Sequence, residues 1–260
     1  MIVNFHKYQA TGNDFVMIDN RELQFPKNDI ALIAKMCHRR FGIGADGLIL
    51  LEQHQSKDFQ MIYYNSDGNQ SSMCGNGGRC LVKFANTLGI INNETTFMAI
   101  DGMHYATIDN NGVVSLQMKN VENIKITDDY VFLDTGSPHH IVYENNLETL
   151  DVKAAGSLIR YSKLYAEKGC NINFVLQVSA NTFAIRTYER GVENETLSCG
   201  TGATAVAIAM KSTGKTNANH IHIRVEGGQL EIYFTPIQGQ FKNVFLKGEA
   251  HFVFGGTYKM

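Results

Sequence analysis

Cys74 and Cys199 stand in near-copies of one motif, Cys74-Gly75-Asn76-Gly77-Gly78 and Cys199-Gly200-Thr201-Gly202-Ala203, about half the 260-residue chain apart. Each is followed by a helix-like run of small and apolar residues. A glycine-rich turn that opens a helix aims unpaired backbone N–H groups at one spot, beside the positive end of the helix dipole. That spot favours anions. A thiol placed there is drawn from about pKa 8.5 toward neutrality, and a substrate carboxylate can lodge on the same N–H groups. One such thiol per half suits a reaction that needs two matched proton-transfer groups. Inversion of a carbon centre is that reaction, so an epimerase or racemase is expected.

Other chemistries fit these residues less well. The glycine turns could cradle a phosphate, but neither ends in the Lys-Ser/Thr of a P-loop or follows the dinucleotide spacing. Cys74, Cys80, Cys199, His139 and His140 could make a zinc site, but no pair has the Cys-x-x-Cys spacing of structural zinc. His220 and His222 alternate with Ile221 and Ile223, which places them on the solvated face of a strand. Cys37 falls in phase with Ile30 and Ile33, the spacing of a helix face turned to the core. No metal is expected.

The doubling extends beyond the thiols. Thr11-Gly12-Asn13-Asp14 has a counterpart in Thr135-Gly136-Ser137-Pro138, and Tyr64-Asn65 before the first cysteine matches Tyr188-Glu189 before the second. The threonines lie 124 residues apart and the cysteines 125. A common offset across three matches points to two similar halves, since self-similarity at a fixed period reports architecture. The boundary should fall near residues 120–130. Only three prolines and no low-complexity linker occur to mark it otherwise.

The bulk properties exclude several classes. A net charge of −2 with pI near 6.5 gives no electrostatic case for a nucleic acid or a membrane surface. No stretch approaches the ~18 apolar residues that span a bilayer, and the first residues show no basic segment leading into an apolar one. Five cysteines is an odd number, without the density of a disulfide scaffold. A cytoplasmic protein with reduced thiols is expected.

Strands and helices interleave. Residues 5–19 read as strand, turn and strand, and 28–40 as a helix. Residues 105–118 read as a hairpin closed at Asn111-Gly112. A second helix is expected over 151–168, stopped by Gly169. Strands at 173–178 and 183–189 then feed Cys199. The run from Ala203 to Met210 is apolar on nearly all sides and should form a buried helix.

At these residues the chain resembles the diaminopimelate epimerases, which interconvert LL- and meso-diaminopimelate without a cofactor on the route to lysine and peptidoglycan. The resemblance covers essentially the whole length. It rests on Gly12-Asn13-Asp14-Phe15, Gly42-Ile43-Gly44-Ala45-Asp46-Gly47, Asn65-Ser66-Asp67-Gly68, Pro138-His139, Asn171 with Phe174, Tyr188-Glu189-Arg190-Gly191 and the two cysteine loops.

The resemblance implies an α+β fold of two pseudo-symmetric domains, each a mostly antiparallel sheet wrapped around a central helix, with the active site between them. The first would comprise residues 1–122 with about 250–260, and the second 123–249. It implies Cys199 as base and Cys74 as acid in the LL-to-meso direction, with His139 and Glu189 beside them. The N–H groups of Gly75, Asn76, Gly200 and Thr201 would hold the reacting carboxylate. Asn13, Asn65, Asn171, Glu189 and Arg190 would bind substrate, Arg190 taking the distal carboxylate bidentately. A homodimer is also implied, with Phe254 where the family carries an interface tyrosine. Two positions depart from the family. Ser137 replaces a substrate-contacting asparagine, and Gly47 a glutamine found in some members, so any contact at Gly47 can involve only backbone.

Overall fold

Strand Gly47–Glu52 is buried along its whole length, and its neighbour Asn13–Asp19 buries Phe15, Val16, Met17 and Ile18 in succession. Strands buried on both faces need a layer on each side, and two helices supply it. Helix α1 (Ile30–Cys37), capped by the Asp29 carboxylate on the Leu32 N–H, shares a core with Val16, Ile18, Leu48, Leu50, Ile62 and Tyr64. The alternate residues of the same strands face helix α2 (Gly75–Thr87), where Phe15 and Ile49 approach Gly77.

These elements belong to the first of two compact units in the computed structural model, which describes residues 2–165 and 168–260. That unit comprises Met1–Leu116 with Gly248–Met260; Gln117–Lys247 forms the second. In the first, strand His251–Lys259 pairs with Ile2–Ala10, which pairs with Asn13–Asp19; Gly47–Glu52 lies parallel to the latter. Phe59–Asn65, Glu94–Ala99, Gly102–Ile108 and Val114–Gln117 complete the sheet. It packs around α2, ten of whose residues are buried.

The second unit repeats this order. Val131–Asp134 pairs with Pro138–Tyr143, which runs parallel to Asn171–Ser179; Thr182–Glu189, His220–Val225, Gly228–Ile237 and Gln240–Gly248 follow. Helix α3 (Val152–Arg160) covers one side, with Val152 beside Ile172, Phe174 and Tyr188, and helix α4 (Gly200–Ser212) fills the other. The registers also coincide: Phe15↔Gly47 and Leu48↔Tyr64 in one unit match His139↔Asn171 and Ile172↔Tyr188 in the other, each 124 residues on. The fold is α+β and internally duplicated, each half a mostly antiparallel sheet wrapped around one helix.

The expected helices at 28–40 and after Cys199 are present, as are the hairpin turning at Gly112 and the two strands leading to Cys199. The helix expected over 151–168 is shorter. Asp151 caps it through the Ala154 N–H, but it ends at Arg160; residues 166 and 167 lie outside the described residues. Gly169 is not its cap. With φ +59, Gly169 lies against the Arg160 guanidinium, where a Cβ would stand 2.1 Å from Cζ, so the guanidinium takes the space of a side chain. Among the described residues no helix is long and apolar enough to cross a membrane.

Candidate active site

Each thiol is the N-cap of its unit's central helix. Cys74 (φ −104°, ψ 144°) accepts the Gly77 N–H on Sγ at 3.1 Å, and Cys199 (φ −126°, ψ 108°) precedes α4 in the same extended conformation. Glycine is needed one turn in. A Cβ at Gly77 would lie 2.9 Å from Ile49 Cδ1 and 3.3 Å from Cys74 Sγ. At Gly202 it would lie 2.4 Å from Asn173 Oδ1. Cys37, Cys80 and Cys170 are buried, and burial pushes all three thiols up, Cys37 and Cys170 to about 12. Cys37 packs in the core of its unit, as its helical spacing predicts.

Around Cys74 the amides form a network. Asn13 Oδ1 faces Cys74 Sγ at 3.9 Å and accepts from Asn76 Nδ2 at 3.3 Å, while Asn13 Nδ2 donates to Asp46 at 2.6 Å. Asn76 Oδ1 in turn accepts from Arg79 Nη2 at 3.0 Å and the Thr11 hydroxyl at 3.4 Å. Arg79 is wholly buried; its guanidinium bonds Gly75 O, Thr11 and Asn76, all neutral, and burial draws it down to about 10. Asp14 anchors the rim, taking Arg39 at 2.8 Å and Lys7 at 2.9 Å. Against the opposing effect of burial, these cations hold its carboxyl down at about 2. Sequence reasoning missed Arg79 and Asp46, because neither type at its position signals an amide network.

Around Cys199 the partners are hydroxyls. Thr201 Oγ1 lies 3.4 Å from Cys199 Sγ and takes the Ser137 hydroxyl at 3.3 Å. Ser137 Oγ is 3.0 Å from His139 Nε2 and accepts from Asn171 Nδ2 at 3.2 Å. His139 is wholly buried, and burial draws it down to about 3, so it is neutral at pH 7. Its Nδ1 meets Asn173 Nδ2 at 3.1 Å, a partner the sequence gave no reason to single out.

The remaining expected residues sit at the same strand ends. Gly47 pairs with Asn65, whose side chain is exposed. A Cβ at Gly47 would stand 2.5 Å from the Tyr63 ring and from Tyr64 O, which explains glycine there. Asn171 is already engaged, donating to Ser137 and accepting the Arg190 backbone N–H at 2.9 Å. Glu189 accepts the Thr196 hydroxyl at 2.9 Å, and exposed Arg190 reaches Lys168 O at 3.1 Å through Nη1, leaving other guanidinium donors for a ligand. Among the described residues one group could hold a cation. It comprises His220, His222 and Glu231, with ligand atoms within 4.8 Å of one another, and it includes neither thiol loop. Both histidines are half-buried on the outer face of their strand, between buried Ile221 and Ile223, as their alternation predicts. Glu231 already takes the Tyr233 hydroxyl at 2.6 Å and lies 2.8 Å from His220 Nε2, so the group is closed on itself.

Solved structures share this architecture across the chain. A phenazine biosynthesis protein of the PhzF family from Bacillus anthracis superposes with TM-score 0.80 at 13% identity, covering 100% of both chains. A hydroxyproline epimerase from Agrobacterium vitis gives 0.68 at 14%, over 98% of this chain and 92% of that one. The chain therefore shares the internally duplicated α+β fold of these structures, with a thiol capping the central helix of each half. A model of the diaminopimelate epimerase family matches residues 5–124 and 131–253. The chain is 66% identical over 98% of its length to the whole diaminopimelate epimerase of Flavobacterium psychrophilum. It is 41% identical over 95% of its length to 98% of that of Chlorobaculum tepidum. The chain belongs to the diaminopimelate epimerase family.

Proposed function

We propose that this protein interconverts LL- and meso-2,6-diaminopimelate without a cofactor, Cys199 and Cys74 serving as the two proton-transfer groups. The observation that carries this reading is a thiol at the N-cap of the central helix of each half, in a chain that matches diaminopimelate epimerases over nearly its whole length. In the LL-to-meso direction the Cys199 thiolate takes the α-proton and Cys74 supplies one to the opposite face; the roles exchange in reverse. The Gly77 and Gly78 N–H groups serve Cys74 itself, and the Ala203 N–H serves Cys199 O. In this reading the N–H groups of Gly75, Asn76, Gly200 and Thr201 hold the reacting carboxylate as charge develops on it. Asn65, Glu189 and Arg190 receive the distal ammonium and carboxylate. Asn13 and Asn171, whose amides are engaged within the protein, orient Asn76 and Arg190 beside the ligand.

Isolation in the cytoplasm and assembly as a homodimer complete the proposal. Ile2, Phe252, Val253 and Phe254 are 67, 53, 52 and 45% exposed on paired strands Ile2–Ala10 and His251–Lys259, apolar surface that a second copy could cover. The deciding experiment incubates LL-diaminopimelate with the protein in D2O, following meso product and α-deuterium together. Absence of both rules the function out, and faster turnover of histidine, proline or glutamate reassigns the substrate.

A further inference from the structure

The hydrogen bonds around Cys199 have a direction that can be worked out from groups that only accept. The His140 carbonyl takes Asn173 Nδ2 at 3.3 Å, and Asn173 Oδ1 takes the Thr187 hydroxyl at 3.1 Å, so the amide orientation is fixed at both ends. The Asn173 amide therefore donates to His139 Nδ1, which must be bare, and the proton of the neutral imidazole sits on Nε2. That N–H donates to Ser137 Oγ. Asn171 is fixed likewise: its Oδ1 takes the Arg190 backbone N–H, and its Nδ2 faces Pro138 O and Ser137 Oγ. Ser137 thus accepts twice. Its own proton goes to Thr201 Oγ1, and the Thr201 proton falls to Cys199 Sγ.

We propose that Ser137 and Thr201 are positioning residues that form a hydrogen-bond chain of fixed direction from His139 to Cys199, holding the Cys199 sulfur as a proton acceptor. A hydrogen bond donated to a sulfur favours its charged form. The chain begins at a fully buried amide, Asn173, so it tunes the sulfur and is no exit for protons. At Cys74 the side-chain partner has the opposite sense, although Sγ also accepts the Gly77 N–H at 3.1 Å. Asn13 Nδ2 is committed to the Asp46 carboxylate, so Asn13 turns its oxygen toward Sγ and can only receive the S–H. The two sulfurs therefore differ in their side-chain partners: a hydroxyl chain that donates to Cys199, and at Cys74 an amide oxygen that accepts. The inference rests on the two-thiol reading and deepens it.

The test follows the rate of iodoacetamide alkylation of Cys199 against pH in the whole protein, read by peptide mass spectrometry, with Cys74 in the same digest as reference. Thr201→Val should raise the Cys199 midpoint by about one pH unit, a tenfold loss of thiolate below it. Ser137→Ala should move it the same way by less, Thr201→Ser should restore it, and the Cys74 midpoint should stay. Asp134 and Arg190, which bear on His139, and Glu189, which holds Thr196, are unaltered in all three variants. A Cys199 midpoint unmoved in both Thr201→Val and Ser137→Ala overturns the proposal, as does an equal shift of both thiols. No substrate is involved, so shifted midpoints without conversion of LL-diaminopimelate would count against the proposed function alone.

Discussion

Asn13 and Ser137 occupy one position of the two half-sheets, 124 residues apart, and present opposite groups to the thiols: a carbonyl oxygen 3.9 Å from Cys74 Sγ, and a hydroxyl relayed through Thr201 to Cys199. Two halves alike in backbone register differ where proton affinity is set. A two-base inversion needs that difference, because one group must begin with a proton and the other without.

Removing either thiol separates the roles of the five cysteines. Cys74→Ala and Cys199→Ala should each lower epimerisation at least about 100-fold, the scale of a lost general acid or base, while thermal melts stay near wild type. Cys37→Ala, Cys80→Ala and Cys170→Ala should retain turnover and cost about 1 kcal/mol of stability, since those side chains only fill the core. Substantial epimerisation by Cys74→Ala would refute the two-thiol mechanism.

Arg190→Lys keeps the charge and loses the planar fork. A charge-assisted bond is worth roughly 1.5–3 kcal/mol, so kcat/KM for diaminopimelate should fall about tenfold to a hundredfold. Lysine, which lacks the distal carboxylate, should be a poor substrate for both proteins to a similar degree. Equal losses on both substrates would place Arg190 in the fold instead.

Acid should destabilise the fold in two stages. Burial holds His139 near 3 and His140 near 4, below the ~6.5 of an unfolded histidine. Their contribution is therefore complete above pH ~6.5 and lost as pH falls toward 4, because the unfolded chain takes up protons that the folded one refuses. With both histidines the slope approaches about 3 kcal/mol per pH unit. Urea unfolding at several pH values should show it, and His140→Gln should roughly halve it. Below pH ~4, protonation of Asp14, held near 2 in the fold, removes its pairing with Lys7 and Arg39 and adds a further loss.

Gly47→Gln tests whether the strand end at Gly47 can hold a side chain. A Cβ would press on Tyr63 and the Tyr64 carbonyl at 2.5 Å. The substitution should cost about 1–3 kcal/mol or more, and Gly47→Ala nearly as much. A neutral melting temperature for Gly47→Ala would mean the strands separate there without strain.

The sequence by itself carried the duplication, the helix-capping thiols, the buried helix after Cys199 and the alternation at His220 and His222. These are local or periodic: a cap needs only its own turn, a strand only its period of two, and a repeat only comparison of the chain with itself. Helix α3 was overextended because Gly169 reads as a cap, while its partner, the Arg160 guanidinium, becomes visible only after the chain folds back. The tertiary structure alone decided the polarity of the site. Asn13 turns an oxygen to Cys74 because Asp46 holds its nitrogen, and Ser137 donates its hydrogen bond to Thr201 because His139 and Asn171 occupy its lone pairs. An amide or hydroxyl can donate or accept with almost equal ease, so its sense is fixed by neighbours from other strands. Those neighbours have no signature in the local sequence.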